Sequence, residues 1–401
     1  MIFEGIMFKV IDIVTQFSIR GFRSPGMYVQ GRGILNYLGK LIRRYGKKAL
    51  ILLSPTAKYV VGDTIERSLK NYDVHRVYTV FNRECSWEEI KRVAKIALEN
   101  NVDIVLGVGG GKALDTAKAV AILNDLVAVL IPTIASTDAP STGLSVIYTE
   151  PYPGEFLEVL FLPRNPDMIV VDSEVISKTP PRFLAAGMGD ASAHYWEARS
   201  VLQGNKPNLI PLDPTEKEYT YIKPFDIGFI IASRIWEVLK MYGVEAMDSA
   251  RMKIVSPALE EVIYVVTLLS GLAGENGGTA LAHAIGNALS VLEKKMKPIQ
   301  YHGEMVAFGT LVEIIAEGTL EDAKEYVCWA HSVGLPTSFK ELGIEDVTEE
   351  DLYKVAEKAM TTIEIHRIPY DISKDVLVDL MKLADQVGRK FTQIYPRQSY
   401  E

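Results

Sequence analysis

Between about Lys48 and Asp172 the sequence alternates short apolar runs with segments whose apolar residues recur at helical spacing. Residues 49–53, 74–80, 103–108, 127–131 and 168–171 read as buried strands. Between the second and third of these, Ser86 and Glu89 stand at capping-box spacing. Ile90, Val93, Ala94, Ala97 and Leu98 then supply one apolar helix face. Strands alternating with helices predict a parallel, doubly wound sheet. Residues 144–149 and 156–161 flank Pro151, Pro153 and Gly154, which predicts a β-hairpin added to that sheet.

After about Lys178 strand-like runs become scarce. Helical periodicity takes over at 191–201, 225–242, 259–271, 305–316, 323–331 and 352–359, with a proline-rich polar connector at 205–214. No internal repeat or low-complexity tract interrupts the pattern. The expected architecture is an α/β N-terminal dinucleotide-binding domain over 22–178 and an all-α C-terminal domain over 179–401, preceded by an extension over 1–21. A ligand belongs where the carboxyl ends of the strands face the helical domain.

A length of 401 residues exceeds what one core usually organises, in keeping with two domains. Apolar residues make up 48% and charged residues 23%, ordinary for a soluble globular chain. The formal charge of −8, without a dense Lys/Arg run, argues against nucleic acid as a partner. It permits an anionic cofactor, because a dinucleotide site needs local backbone donors rather than a basic protein. Two distant cysteines, Cys85 and Cys328, exclude a disulfide framework and fit a reducing cytoplasm. The first 21 residues carry Glu4 and Asp12 and lack a basic start, unlike a signal peptide. Later apolar runs such as 127–132 look too short to cross a bilayer, so no membrane partner is expected.

Two features carry candidate chemistry. The run Gly107-Val-Gly109-Gly110-Gly111-Lys112-Ala-Leu-Asp115 follows a strand and opens a helix near Ala113. Glycines there let the backbone approach a pyrophosphate, and helix N-terminal amides point at its oxygens. A tight turn without a ligand would look similar, since the run matches neither the G-x-G-x-x-G fingerprint nor a P-loop. The second feature is a dispersed polar set. Asp190, His283 and His302 offer one carboxylate and two imidazoles, suited to Zn²⁺ with an open position or to Fe²⁺. His283 read alone is equally a hydrogen-bonded core histidine. His194 follows Asp190 by one helical turn and is either a fourth ligand, an outer donor or a solvated residue.

Several blocks in one order then resemble the glycerol dehydrogenases of the iron-containing alcohol dehydrogenase superfamily, over about Ser24 to Thr392. They are Ser24-Pro-Gly-Met-Tyr-Val-Gln-Gly31, Gly109-Gly-Gly-Lys-Ala-Leu-Asp-Thr-Ala-Lys118 and Ile131-Pro-Thr-Ile-Ala-Ser-Thr-Asp-Ala-Pro140. Phe161-Leu-Pro-Arg-Asn-Pro-Asp167, Ala186-Gly-Met-Gly-Asp190 and Glu275-Asn-Gly-Gly278 complete the series. The resemblance implies the dehydroquinate synthase-like two-domain architecture and oxidation of glycerol or a related vicinal diol by NAD. It implies metal ligation by Asp190, His283 and His302. It places Gly109, Gly110, Gly111, Lys112, Asp115, Thr133, Ser136, Thr142, Leu144 and Tyr148 at the cofactor, and Asp138 at the substrate. It also implies a homo-oligomer, commonly an octamer.

Three positions depart from the pattern. Ser54 stands where many relatives carry an acidic residue that bonds the adenosine ribose and repels a 2′-phosphate, which leaves the choice of NAD over NADP open. Gly286 replaces a second histidine, so a proton-relay role does not carry over. His194 matches the Asp-x-x-x-His spacing of iron-using members. Residues 1–21 have no counterpart, and translation from Met7 is compatible with that. Competing expectations are a glycerol-1-phosphate dehydrogenase, a dehydroquinate-synthase-like lyase, and a catalytically silent NAD-binding assembly module.

Overall fold

The computed structural model describes residues 19–216 and 220–399. Most of the expected N-terminal extension, residues 1–18, lies outside the described residues. The strands are β1 (Tyr28–Gln30), β2 (Lys48–Leu53), β3 (His75–Val80), β4 (Ile104–Gly109), β5 (Val127–Pro132), β6 (Leu144–Tyr148), β7 (Phe156–Phe161) and β8 (Met168–Val171). Helices of the first half are α1 (Leu38–Ile42), α2 (Pro55–Asn71), α3 (Trp87–Glu99), α4 (Gly111–Leu123) and α5 (Ser173–Ser177). In the second half come α6 (Pro181–Gln203), α7 (Ile227–Met252), α8 (Pro257–Tyr264), α9 (Ser270–Gly277) and α10 (Leu281–Ala288). Then follow α11 (His302–Glu317), α12 (Leu320–Ser332), α13 (Glu349–Ala359) and α14 (Lys374–Thr392).

Six strands form one parallel sheet in the order β1-β8-β5-β4-β2-β3. Its strands read as apolar runs because both faces are covered. Ala49, Ile51 and Leu53 meet Val61, Ile65 and Leu69 of α2 on one face, while Leu50 and Leu52 join Ile90, Val93, Ala117 and Val120 on the other. The chain runs outward from β2 to β3 and then returns past β2 to β4. The switch point therefore lies between β2 and β4, where crevices at strand carboxyl ends bind ligands.

Three sequence expectations change. Residues 144–161 form the hairpin, but β6 and β7 make their own two-stranded sheet rather than extending the main one. The capping box before α3 is half realised: Ser86 Oγ accepts the Glu89 amide at 3.0 Å, while the Glu89 carboxylate turns to Asn82 N and Arg92. Leu98 is exposed rather than part of the buried face. The sequence also hid β1, whose three residues pair with β8 at the sheet edge.

Most of the helical half packs around one large apolar core, with Ala193, Ala282 and Val306 forming a small separate cluster. The expected helix over 259–271 is interrupted by a π-turn at Val265–Leu269, after which Ser270 opens α9. The whole Pro257–Gly277 run is long and apolar enough to cross a bilayer, which the sequence expectation overlooked, but 72% of it is buried inside the fold. Chain segment 19–26 ties the halves together: Ile19 O accepts Lys223 N at 2.9 Å, and Asn276 brackets the Arg23 backbone through N–H and C=O bonds of 2.7 and 2.9 Å.

Candidate metal and cofactor site

Close helix crossings set the helical side. A Cβ at Gly303 would lie 1.8 Å from the Ala186 carbonyl oxygen, and one at Gly189 would lie 2.3 Å from the Gly303 oxygen. These absent side chains let α6 and α11 touch at backbone distance, beside Asp190 and His302. On the other side of α11, Gly309 abuts the Ala282 carbonyl and Gly286 abuts Val306, which draws in α10. The departure at Gly286 thus has a packing reason, since any side chain there would push α10 away from α11.

The result is convergence. Asp190 Oδ1 lies 3.2 Å from His283 Nε2 and 3.5 Å from His302 Nε2. One ligand atom from each of the three residues falls within 4.8 Å of the others. Asp190 and His283 are buried, whereas the His302 side chain is 39% exposed and forms the open edge. Burial alone would raise the Asp190 pKa, but His283 and His302 outweigh it and hold the carboxyl well below its usual range. Burial alone would lower His283; the Glu197 and Asp190 carboxylates reverse that and hold it well above the ordinary value. A divalent cation suits such a set, because it replaces imidazolium protons as the positive partner of a buried carboxylate.

His194 does not join this group. Its ring stacks on His283 with centroids 5.3 Å apart, and its Nε2 meets Ser270 Oγ at 3.2 Å. Its nitrogens cluster instead with Glu197 and His283. Gly274 makes room for it, since a Cβ there would lie 2.8 Å from His194 Cε1. Asp138 Oδ2 stands 3.9 Å from His194 Nε2. Burial, followed by the nearby Asp190 charge, pushes the Asp138 pKa up. The loop carrying it rests on the helical half through Gly187, next to the Ala135 oxygen, and Gly271, next to Ser141 and the Asp138 carbonyl.

The sheet side is built from backbone. Gly107 lets α4 lie against β4, because its Cβ would meet that of Ala117 at 2.5 Å. Gly110 is the N-cap of α4 with no side-chain cap, so no side chain of the cap takes up the first amides of the helix. A Cβ at Gly109 would touch Ser54 at 2.9 Å, so the glycine run and the end of β2 meet at the switch point. Ser54 is itself the N-cap of α2, its Oγ accepting the Ala57 amide at 3.3 Å. Gly111 lies against Thr137 and Ala139, the neighbours of Asp138, which joins the glycine run to the helical side.

The remaining expected cofactor residues divide. Thr133, Ser136, Leu144 and Tyr148 are partly exposed, and Thr133 N bonds the Gly109 oxygen at 3.0 Å. Lys112 Nζ pairs with Glu84 at 2.6 Å and sits 4.0 Å above the Tyr148 ring. Asp115 and Thr142 are buried. The Asp115 carboxylate accepts Val146 N at 3.1 Å and pairs with Lys118 at 3.0 Å, clamping β6 to α4 beneath the loop. Lys118 Nζ also donates to the Ala139 carbonyl at 2.8 Å, which steadies the Asp138 loop.

Residues 25–173 match the family described as iron-containing alcohol dehydrogenase. The glycerol dehydrogenase of Thermotoga maritima is 44% identical over 91% of this chain and 96% of its own length. The chain belongs to the iron-containing alcohol dehydrogenase family. A glycolaldehyde reductase of Halobacterium salinarum is 37% identical over 92% of the chain and 98% of its own length. The crystal structure of glycerol dehydrogenase from Schizosaccharomyces pombe superposes with a TM-score of 0.86 at 31% identity, covering 96% of this chain and 94% of that one. The sheet-plus-helical architecture is that of this family, whose members are oxidoreductases, and membership implies a nicotinamide dinucleotide and a metal ion.

Sequence reasoning missed two groups that brace these candidate ligands. Glu197 Oε2 meets His283 Nδ1 at 2.7 Å, and the only signal in the sequence was its spacing, seven residues after Asp190 and so on the same helix face. Arg182 grips Glu304 with bonds of 2.6 and 2.8 Å, and Glu304 accepts the Tyr301 amide, so the start of α11 is bolted to α6 beside His302. Glu275 and Asn276, part of one resembling block, brace Gly143, Asn165 and Arg23.

Proposed function

We propose that this chain oxidises the secondary hydroxyl of glycerol, or of a closely related vicinal diol, with NAD as hydride acceptor, giving dihydroxyacetone from glycerol. Asp190, His283 and His302 would hold a divalent cation at the floor of the cleft. The observation that carries this reading is the approach of one carboxylate oxygen and two imidazole nitrogens within 4.8 Å. A cation held there supplies Lewis acidity to a coordinated hydroxyl, and the nicotinamide carries the hydride chemistry. Two imidazoles and a carboxylate with an open edge suit Zn²⁺, and Fe²⁺ fits the same donors. That His194 turns to Ser270 favours the three-ligand set, hence Zn²⁺.

The chain's own residues do the positioning. Asp138 accepts a hydrogen bond from a substrate hydroxyl and so selects which carbon faces the cofactor. The open amides of Gly111 and Lys112 cradle the pyrophosphate. Thr133, Ser136, Thr142, Leu144 and Tyr148 frame the rest of the cofactor, and Asp115 holds that frame from below. Among the described residues no lysine or arginine pairs with Asp138 or Asp190, which favours a neutral polyol over a phosphate ester or an acid. We place the domain boundary near Lys178, between α5 and α6. By analogy with the family we place the enzyme in the cytoplasm as a homo-octamer.

Initial rates of NAD reduction with glycerol, 1,2-propanediol and glycerol phosphate, before and after exhaustive chelation, test the reading. Activity should vanish on metal removal and return with Zn²⁺. Full activity in metal-free protein would defeat the cation, and preferred turnover of glycerol phosphate would defeat the substrate class. NADH oxidation with glycolaldehyde measures the reverse, aldehyde-reducing direction in the same assay.

A further inference from the structure

Helix α6 presents two carboxylates, Asp190 and Glu197, seven residues and therefore about two turns apart on one face. The His283 ring is held between them. Its Nε2 faces Asp190 at 3.2 Å and its Nδ1 faces Glu197 at 2.7 Å. The other Glu197 oxygen accepts the backbone amides of His283 at 2.8 Å and Ala280 at 2.7 Å. Those amides open α10, whose N-cap residue, Ala280, provides no side-chain acceptor. One carboxylate from another helix therefore caps α10 and orients the imidazole standing on its first turn.

Packing does not explain this residue. Glu197 is completely buried, and a charged group without close donors would be strongly destabilising there. It accepts two backbone amides and the His283 ring, with His194 Nδ1 standing farther off at 3.7 Å, and the His283 ring is the donor that matters chemically. A carboxylate only accepts, so the nitrogen facing Glu197, Nδ1, keeps its hydrogen, and Nε2, which faces Asp190, is the nitrogen whose lone pair a bound cation would take in place of a proton. His302 has no such support: among the described residues its carboxylate partner is Asp190 alone.

We infer that Glu197 is the positioning residue of the metal centre, fixing His283 in the Nδ1–H tautomer and strengthening its Nε2 as a cation ligand through the hydrogen bond behind the ring. This inference rests on the metal-centre reading of Asp190, His283 and His302. It adds a residue to that reading and assigns unequal strength to the two imidazoles.

The test is Zn²⁺ affinity of the full-length apoprotein, measured by competition with a chromophoric chelator, for wild type, Glu197→Gln and Glu313→Gln. Glu313 is an equally buried carboxyl group that accepts the Ala282 amide at 2.8 Å and, among the described residues, hydrogen-bonds no imidazole, so it controls for loss of a buried carboxyl near α10. Glu197→Gln should weaken Zn²⁺ binding by about 10- to 100-fold, the usual effect of removing a carboxylate behind a metal-bound histidine. It should also alter the visible spectrum of the Co²⁺-loaded protein, while Glu313→Gln leaves both unchanged.

Equal affinity and an unchanged Co²⁺ spectrum in Glu197→Gln would overturn the inference, as would an equal loss in Glu313→Gln. Wild type that binds no stoichiometric Zn²⁺ would overturn the metal centre itself. Should Glu197→Gln fail to fold, the Co²⁺-loaded wild type still decides. A slowly exchanging, strongly shifted His283 Nδ1 proton is expected, and its absence counts against the assignment.

Discussion

On the sheet side of the cleft the groups offered to a ligand belong to the backbone of one short segment, Gly109 to Lys112. On the helical side they are side chains from three helices, with His283 and Asp190 separated by 93 positions. The first kind of site depends on what is missing, namely Cβ atoms that would meet Ser54, Ile134 and Thr137. The second depends on what is present, one carboxylate and two rings whose approach is set by glycine contacts between helices far apart in sequence. Local sequence can specify a backbone site by itself. A side-chain site of this kind exists only once the whole helical core has packed.

That contrast predicts a graded set of outcomes. Asp190→Asn removes the one charged donor and should lower glycerol turnover more than about a hundredfold, since even outer groups at metal sites commonly cost 10- to 100-fold. Bound metal should fall with it, and elemental analysis of the purified variant checks this. Full metal occupancy would take Asp190 out of the ligand set.

Gly303→Ala should come next. The added methyl would sit 1.8 Å from the Ala186 carbonyl, a backbone atom that cannot rotate away. Overpacking of this kind costs about 1–3 kcal/mol or more. A lowered Tm together with lost metal is therefore expected, although no ligand has been touched. Unaltered Tm would show that α6 and α11 do not depend on this contact.

Effects on the sheet side should be smaller and confined to the cofactor. Ser54→Asp keeps an N-cap acceptor on α2, so stability should hold. The new carboxylate would favour ribose hydroxyls over a 2′-phosphate, raising the NAD-to-NADP ratio of kcat/KM by about tenfold, equivalent to 1.4 kcal/mol. An unchanged ratio would separate this position from ribose recognition. Lys112→Met should raise the KM for NAD by only a fewfold if amides do most of the holding. A collapse of NAD binding would instead make the sheet side a side-chain site as well, and the comparison above would fail.

The same contrast explains what the sequence made legible. The parallel strands were visible because burial on both faces turned β2, β4 and β5 into continuous apolar runs. The hairpin was visible from its prolines, but not its separation from the main sheet, which depends on Asp115 and Lys118 pulling β6 onto α4. Strand β1 was invisible because three partly exposed residues at a sheet edge carry almost no pattern. Helix α14 escaped notice even though its apolar positions follow helical spacing. In the site, Asp190, His283 and His302 stood out by residue type, with family resemblance adding weight. Glu197 and Arg182 did not, because a buried glutamate and a helix-end arginine look like surface residues until their partners from other helices are in place.

The strip from Thr133 to Gly143 leaves the sheet but is seated on α6 and α9 at Gly187 and Gly271. The same strip is fastened to the sheet half as well, by Lys118 Nζ donating to the Ala139 carbonyl and by Gly111 against Thr137 and Ala139. Asp138 therefore stands on a bridge anchored at both ends, so any change in the angle between the halves would strain this strip first.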